Sequence, residues 1–203
     1  MFDPLARRLI DAPLARLGAW IAGRGATANA MTAAGLAFGL AAALAIATGH
    51  AGWGLLLILM SRLADGLDGA VARVRGPTDL GAFLDIVADF AFYAAIPIAF
   101  AIADRANAFP ALVLVASFLL SGGSFLAFAT LAEKRGLATT ARGRKGFFHP
   151  GGLAEGTETI AAFVLMCLFP ASFALIAWIF AAACMITACG RCLDAARMFR
   201  QDP

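Results

Sequence analysis

Asp65, Asp68, Asp85 and Asp89 stand in two neighbouring stretches that are otherwise almost wholly apolar. A carboxylate inside a membrane helix costs roughly 2.5–3.5 kcal/mol, so four cost on the order of 10 kcal/mol before compensation. Arg62 and Arg73 are near enough in sequence to neutralise two of them, which leaves a cluster of negative charge that packing alone does not explain. Asp65, Asp68, Gly69 and Ala72 are spaced three, four and seven apart and share one helical face. Gly81, Asp85 and Asp89 repeat every four residues on the next stretch, again with glycine on the acidic face. Arg75-Gly76-Pro77-Thr78-Asp79 between them is a short turn, so the two helices are antiparallel neighbours with facing carboxylates. Such all-oxygen sites suit hard cations such as Mg²⁺ or Mn²⁺. Two such ions can stabilise both the attacking and the leaving oxygen of a phosphoryl transfer.

The elements that must hold these acids follow from composition. The chain has 203 residues, 62% of them hydrophobic and only 14% charged, with a mean hydropathy of +0.84. Soluble domains carry about a quarter charged residues, so an ordinary cytosolic domain is excluded, as are a disordered chain and a disulfide-stapled module. At roughly 20 residues per crossing the length accommodates about six spans and no separate soluble domain. The hydrophobic stretches run near Asn29–Thr48, Trp53–Val74, Leu80–Ala103, Ala108–Leu131, Leu153–Phe169 and Ala171–Gly190. The last two meet at Pro170 in a tight hairpin. Pro97 and Gly122–Gly123 fall inside spans, where neighbouring helices tolerate a kink or a close approach. The fold expected is an all-α integral membrane protein of six transmembrane helices.

Fourteen bases lie on one side of this arrangement: Arg7, Arg8, Arg16, Arg24, Arg73, Arg75, Lys134, Arg135, Arg142, Arg144, Lys145, Arg191, Arg197 and Arg200. Arg105 alone lies on the other, and Arg62 is within a span. The positive-inside rule then makes both termini cytoplasmic and puts the acidic cluster near that face. Residues 1–24 lack the apolar core of a cleavable signal. They read as an amphipathic helix in the cytoplasmic interface, with Asp3 and Pro4 at its start, an apolar face that includes Leu9, Leu17 and Trp20, and a bend or split expected at Pro13. The domains expected are this helix, a membrane domain over 25–190 and a cytoplasmic tail over 191–203. The net charge of +3 matches attraction to anionic lipid, and no nucleic-acid motif is present. Cys167, Cys184, Cys189 and Cys192 read as small apolar filler, because the single Cys-x-x-Cys has no second ligand pair for zinc.

Written in full, the acidic motif is Asp65-x2-Asp68-Gly69-x2-Ala72-Arg73-x7-Gly81-x3-Asp85-x3-Asp89. It resembles the signature of the CDP-alcohol phosphotransferase (phosphatidyltransferase) family, six-helix membrane enzymes of phospholipid synthesis. The spacer before Gly81 is one residue shorter than that signature, a difference confined to the turn. The resemblance implies a transferase that moves a phosphatidyl or substituted phosphate group from a CDP-linked donor to an acceptor hydroxyl and releases CMP. It implies two Mg²⁺ or Mn²⁺ ions on Asp65, Asp68, Asp85 and Asp89, with Asp89 as the catalytic base. It implies nucleotide contacts at Asp65, Gly69, Ala72, Arg73 and Gly81. Thr27-Ala28-Asn29-Ala30-Met31-Thr32 resembles the family's Thr-Pro-Asn-x-x-Thr entry with Ala28 in place of proline; this adds Thr32 to the nucleotide set, although a plain helix N-cap at Thr27 or Asn29 accounts for it equally. A homodimer in the inner membrane is what the family implies.

The acceptor is open. Arg142, Arg144 and Lys145, followed by Phe147, Phe148 and His149, either bind a phosphorylated acceptor or anchor a positive-inside loop. Glu155 and Glu158 share a face at the start of the fifth span. They are either early-turn acids that suit the helix dipole or contacts to an acceptor, for instance an amino-alcohol such as ethanolamine, serine or choline. Two carboxylates at that depth are costly, which favours the acceptor. Two other classes stay open: a membrane prenyltransferase acting on a diphosphate, and a non-catalytic protein that binds a cation or nucleotide.

Overall fold

A computed structural model describes residues 3–135 and 153–199, and among these residues it contains helices and no strands. The helices are α1 (Asp3–Gly23), α2 (Ala28–Ala47), α3 (Ala51–Arg75), α4 (Asp79–Ala103), α5 (Ala108–Lys134), α6 (Gly156–Leu168) and α7 (Phe173–Phe199). Short 3-10 turns at Arg105–Asn107 and Pro170–Ser172 precede α5 and α7. Four helices are long and apolar enough to cross a membrane: α2, α4, and α5 and α7 with their leading turns. The charges of α3 and the 13-residue length of α6 keep those two outside that criterion.

α2 packs on both α3 and α4, α5 packs on α7 and α4, and α6 bridges α3 and α7. The α2–α3 seam is close because α2 turns Thr32, Gly35, Gly39, Ala42 and Ile46 inward, a row of mostly small residues at helical spacing. Backbones can then approach, and the Ser61 hydroxyl donates to the Gly35 carbonyl at 2.7 Å. A Cβ on Gly39 would stand 2.7 Å from the ring of Phe92, a fully buried side chain of α4. Gly39→Ala is expected to destabilise the protein by about 1–3 kcal/mol through overpacking, read as a lower melting temperature in detergent.

Phe92 meets Phe163 of α6 edge to face with centroids 5.7 Å apart, so aromatic packing joins α6 to α4. Gly122 lies directly against Phe90, letting α5 close on α4. α1 continues as helix through Pro13 and packs on α3 through Gly18 against Ala70 and through the Ala22 carbonyl, which accepts from Arg75 at 2.8 Å. Leu17 and Trp20 stay exposed.

Two boundaries differ from the sequence reading. The fifth apolar stretch becomes helical only at Gly156, because the Thr187 hydroxyl of α7 accepts from the amides of Leu153 and Ala154 at 3.0 and 3.1 Å and holds them off the helix. α7 runs unbroken through Gly190 to Phe199, and Arg191, counted above with the tail bases, is buried and donates to the Ser121 carbonyl at 2.8 Å. Cys167 and Cys184 are buried as filler, whereas Cys189 and Cys192 are exposed.

Candidate active site

The turn between α3 and α4 sets the acidic residues in register. Gly76 ends α3 with a φ of 96°, a left-handed conformation that favours glycine. Thr78 then caps α4, its hydroxyl accepting from the Gly81 amide at 3.1 Å. α3 and α4 do not pack closely on one another as the sequence suggested; each packs on α2, and the acidic side chains meet across the gap between them, Asp65 and Asp68 from α3 and Asp85 and Asp89 from α4.

Asp65, Asp68 and Asp85 each offer a carboxylate oxygen, and these oxygens lie within 4.8 Å of one another. Asp68 is buried, 8% exposed, and accepts from the Thr32 hydroxyl of α2 at 2.7 Å. Three carboxylates drawn from two helices, with oxygen as their donor atom, fit a hard divalent cation by number, charge and chemistry. Asp89 is not in this trio; its carboxylate accepts from the Arg62 guanidinium at 2.8 Å. Arg62 also lies 3.4 Å from Asp65.

A cavity of about 410 Å³ opens beside the trio. Asp68 and Asp85 form its acidic wall, and Gly69, Ala72 and Gly81 keep it open where larger side chains would fill it. Thr32 lines it too, together with Thr27 and Asn29. Thr27 also caps α2, accepting from the Ala30 amide at 3.2 Å, so the helix-cap and cavity readings of that segment hold together. A Cβ on Gly81 would come within 3.1 Å of the Asn29 side-chain oxygen.

Asp65, Asp89 and Arg73 are not part of the cavity wall. Arg73 reaches back along its own helix, to 3.6 Å from where a Cβ on Gly69 would stand. Two residues were missed as site components from sequence. Arg75 lines the cavity although it was read only as a topology charge, and Arg62 was read only as a neutralising charge. The spacing of Arg62, three before Asp65 and one turn away on the same face, was the available signal for it.

Glu155 and Glu158 form a capping box at the start of α6. The Glu155 side chain accepts from the Glu158 amide, and the Glu158 carboxylate accepts from the Glu155 amide at 3.2 Å. The helix start lies over the carboxylate helix, for a Cβ on Gly156 would be 4.0 Å from the hydroxyl of Tyr93, one turn beyond Asp89. Arg142, Arg144, Lys145 and His149 lie outside the described residues.

The chain is similar to known proteins in sequence and in fold. The chain is 48% identical over 164 residues to "Inner membrane protein YnjF" of Escherichia coli (strain K12), covering 80% of each protein. Its fold is similar to that of Mycobacterium tuberculosis phosphatidylinositol phosphate synthase (PgsA1). With the structure carrying bound CDP-DAG the TM-score is 0.69 at 24% identity, over 90% of this chain and 93% of that one. With the complex of manganese and citrate it is 0.68 at 23% identity, over 88% and 86%. The family model for CDP-alcohol phosphatidyltransferase matches residues 26–189, the stretch that contains all four aspartates and the cavity. By that match the chain belongs to the CDP-alcohol phosphatidyltransferase family, membrane transferases of phospholipid biosynthesis.

Proposed function

We propose that the protein transfers a phosphatidyl or substituted phosphate group from a CDP-linked donor to an acceptor hydroxyl, releasing CMP. The observation that carries this is the trio of Asp65, Asp68 and Asp85 oxygens beside a cavity that Asp68 and Asp85 line and that Gly69, Ala72 and Gly81 keep open. A nucleotide needs a cavity of this kind, with small residues where the flat base and sugar must approach the backbone. Asp65, Asp68, Asp85 and Asp89 would hold two divalent ions, Mg²⁺ or Mn²⁺, which when bound supply neutralisation of the donor diphosphate and of the charge developing on its oxygens.

The chain's own residues do the rest. Thr32 fixes the Asp68 carboxylate through its 2.7 Å hydrogen bond and so sets one metal-facing oxygen. Gly69, Ala72, Arg73 and Gly81 receive the nucleotide, with Thr32 and Asp65 beside it. Asp89 takes the proton of the acceptor hydroxyl, and the resulting oxygen attacks the phosphorus in line as CMP departs. α2 to α7 would all cross the inner membrane, α3 carrying its charges inside the bundle, with the bases placing both termini and the site on the cytoplasmic side. α1 would lie in the cytoplasmic interface with Leu17 and Trp20 toward lipid. A homodimer is consistent with the exposed apolar helix faces that lipid or a second copy must cover.

The test is to supply purified protein with CDP-diacylglycerol, CDP-ethanolamine and CDP-choline against a panel of alcohols, with and without EDTA. Metal-dependent CMP release from one donor–acceptor pair is the expected result. CMP-independent cation flux in liposomes, with no CMP release from any pair, would overturn the reading in favour of a non-catalytic cation protein.

Glu155 and Glu158 remain the proposed acceptor contacts, with Arg142, Arg144 and Lys145 as the alternative for a phosphorylated acceptor. Glu158→Gln separates the cap from the contact, since glutamine serves equally in a capping box. For an amine-bearing acceptor the variant is expected to keep its melting temperature and raise acceptor KM about tenfold, the worth of one charge-assisted hydrogen bond. Steady-state kinetics at saturating donor measures this.

A further inference from the structure

Arg62 is a cation set in the middle of the carboxylate site, and it has no role in the transfer chemistry described above. Its side chain is 16% exposed. One terminal nitrogen lies 2.8 Å from Asp89 and 3.4 Å from Asp65. The other donates to the Ser61 hydroxyl at 3.2 Å, and that hydroxyl is itself committed to the Gly35 carbonyl. The guanidinium stands 4.2 Å over the ring of Phe92, which is fully buried and one turn beyond Asp89 on α4. Carboxylate, hydroxyl and aromatic face therefore hold it together, Asp89 and Phe92 from α4 and Ser61 from its own helix α3.

That arrangement has two electrostatic consequences. Four acids share the site with one guanidinium, and Arg62 lies within 4 Å of two of them. It also divides the acids into two sets, three whose oxygens converge and one held apart on Arg62. A positive charge so close repels an incoming divalent ion and competes with it for Asp65 and Asp89.

We propose that Arg62 is a positioning residue of the transfer reaction. It holds the Asp89 carboxylate aimed and apart from the metal-facing trio, and its charge sets how tightly the site binds divalent cations. This rests on the assignment of Asp89 as the base in the preceding section. It assigns to Arg62 a role separate from structural support, because removing a merely structural arginine would weaken metal binding or leave it unchanged.

The experiment measures Mn²⁺ binding by calorimetry and thermal unfolding, with and without Mn²⁺, for wild-type, Arg62→Met and Arg62→Lys protein. Arg62→Met is expected to bind Mn²⁺ about tenfold more tightly, since one competing charge is gone. Its metal-free form should melt lower and its Mn²⁺-induced rise should be larger. Arg62→Lys should return the Mn²⁺ affinity toward wild type. CMP release by Arg62→Met should fall in kcat with donor KM little changed, because Asp89 is no longer held. Unchanged or weaker Mn²⁺ affinity in Arg62→Met would overturn the proposal, as would a lysine variant that matches the methionine one. Should Arg62→Met fail to fold, the double variant Arg62→Met/Asp89→Asn restores the charge balance and is expected to recover metal-free stability; no recovery would overturn the proposal. Wild-type protein that shows the Mn²⁺ dependence on Arg62 yet releases no CMP from any donor overturns the transferase reading and leaves the effect on metal affinity standing.

Discussion

Asp68→Asn protein is expected to lose CMP-releasing turnover by about a thousandfold and to bind Mn²⁺ more than about a hundredfold more weakly. Asp68 carries the largest expected effect because it belongs to both halves of the site, as Asp85 does, and is in addition buried and fixed by the Thr32 hydroxyl. Its carboxylate is one of the three converging oxygens, and it also forms part of the cavity wall. The substitution is nearly isosteric, and the asparagine oxygen can still accept from Thr32, so the α2–α3 seam keeps its polar contact. Removing one of three mutually repelling acids also relieves the metal-free protein. Its melting temperature without metal is therefore expected to stay level or rise, while the Mn²⁺-induced rise shrinks. A joint measurement of turnover, Mn²⁺ affinity and melting separates lost chemistry from lost fold. Full turnover with undiminished Mn²⁺ affinity would remove Asp68 from the site.

Asp89→Asn is expected to lower kcat by about a hundred- to ten-thousandfold, the range for removing a general base. Its signature should differ from that of Asp68→Asn. Asp89 stands outside the converging trio and accepts from Arg62 at 2.8 Å, so Mn²⁺ affinity should fall much less than in Asp68→Asn and donor KM should hold. Loss of turnover at preserved metal and donor binding would mark a residue that acts on the acceptor proton. Equal loss of Mn²⁺ binding in the two variants would instead make Asp89 a metal ligand first.

Much of this site could be read before any coordinates. The three- and four-residue spacings of Asp65, Asp68, Gly69 and Ala72, and of Gly81, Asp85 and Asp89, put acids and small residues on common faces, and Gly76-Pro77 marked the turn that makes the faces meet. Helix period is a local property, so it survives without knowledge of the rest of the bundle. The start of α6 was less legible. Its apolar run begins at Leu153, yet the Thr187 hydroxyl, distant in sequence, draws two amides out of the helix. Glu155 and Glu158 were read from their shared face, the helix dipole and their depth, and the capping box depends on the helix beginning where Thr187 lets it. Arg191 was taken for a tail charge because a basic residue after an apolar run usually is one; its burial against Ser121 depends on α5 packing on α7.

The sequence by itself determined the class. An acid in an apolar span is so costly that its presence announces a function, and helical spacing converts four such acids into a pattern characteristic of one family. Only the tertiary structure decided how those acids divide. Asp65, Asp68 and Asp85 converge, while Asp89 is drawn to Arg62, whose place depends on Ser61, Gly35 and Phe92 from three packed helices. Spacing along one helix fixes which residues share a face. Which partner a charge on that face meets depends on how closely a neighbouring helix can approach, and Gly35 and Gly39 permit that approach here.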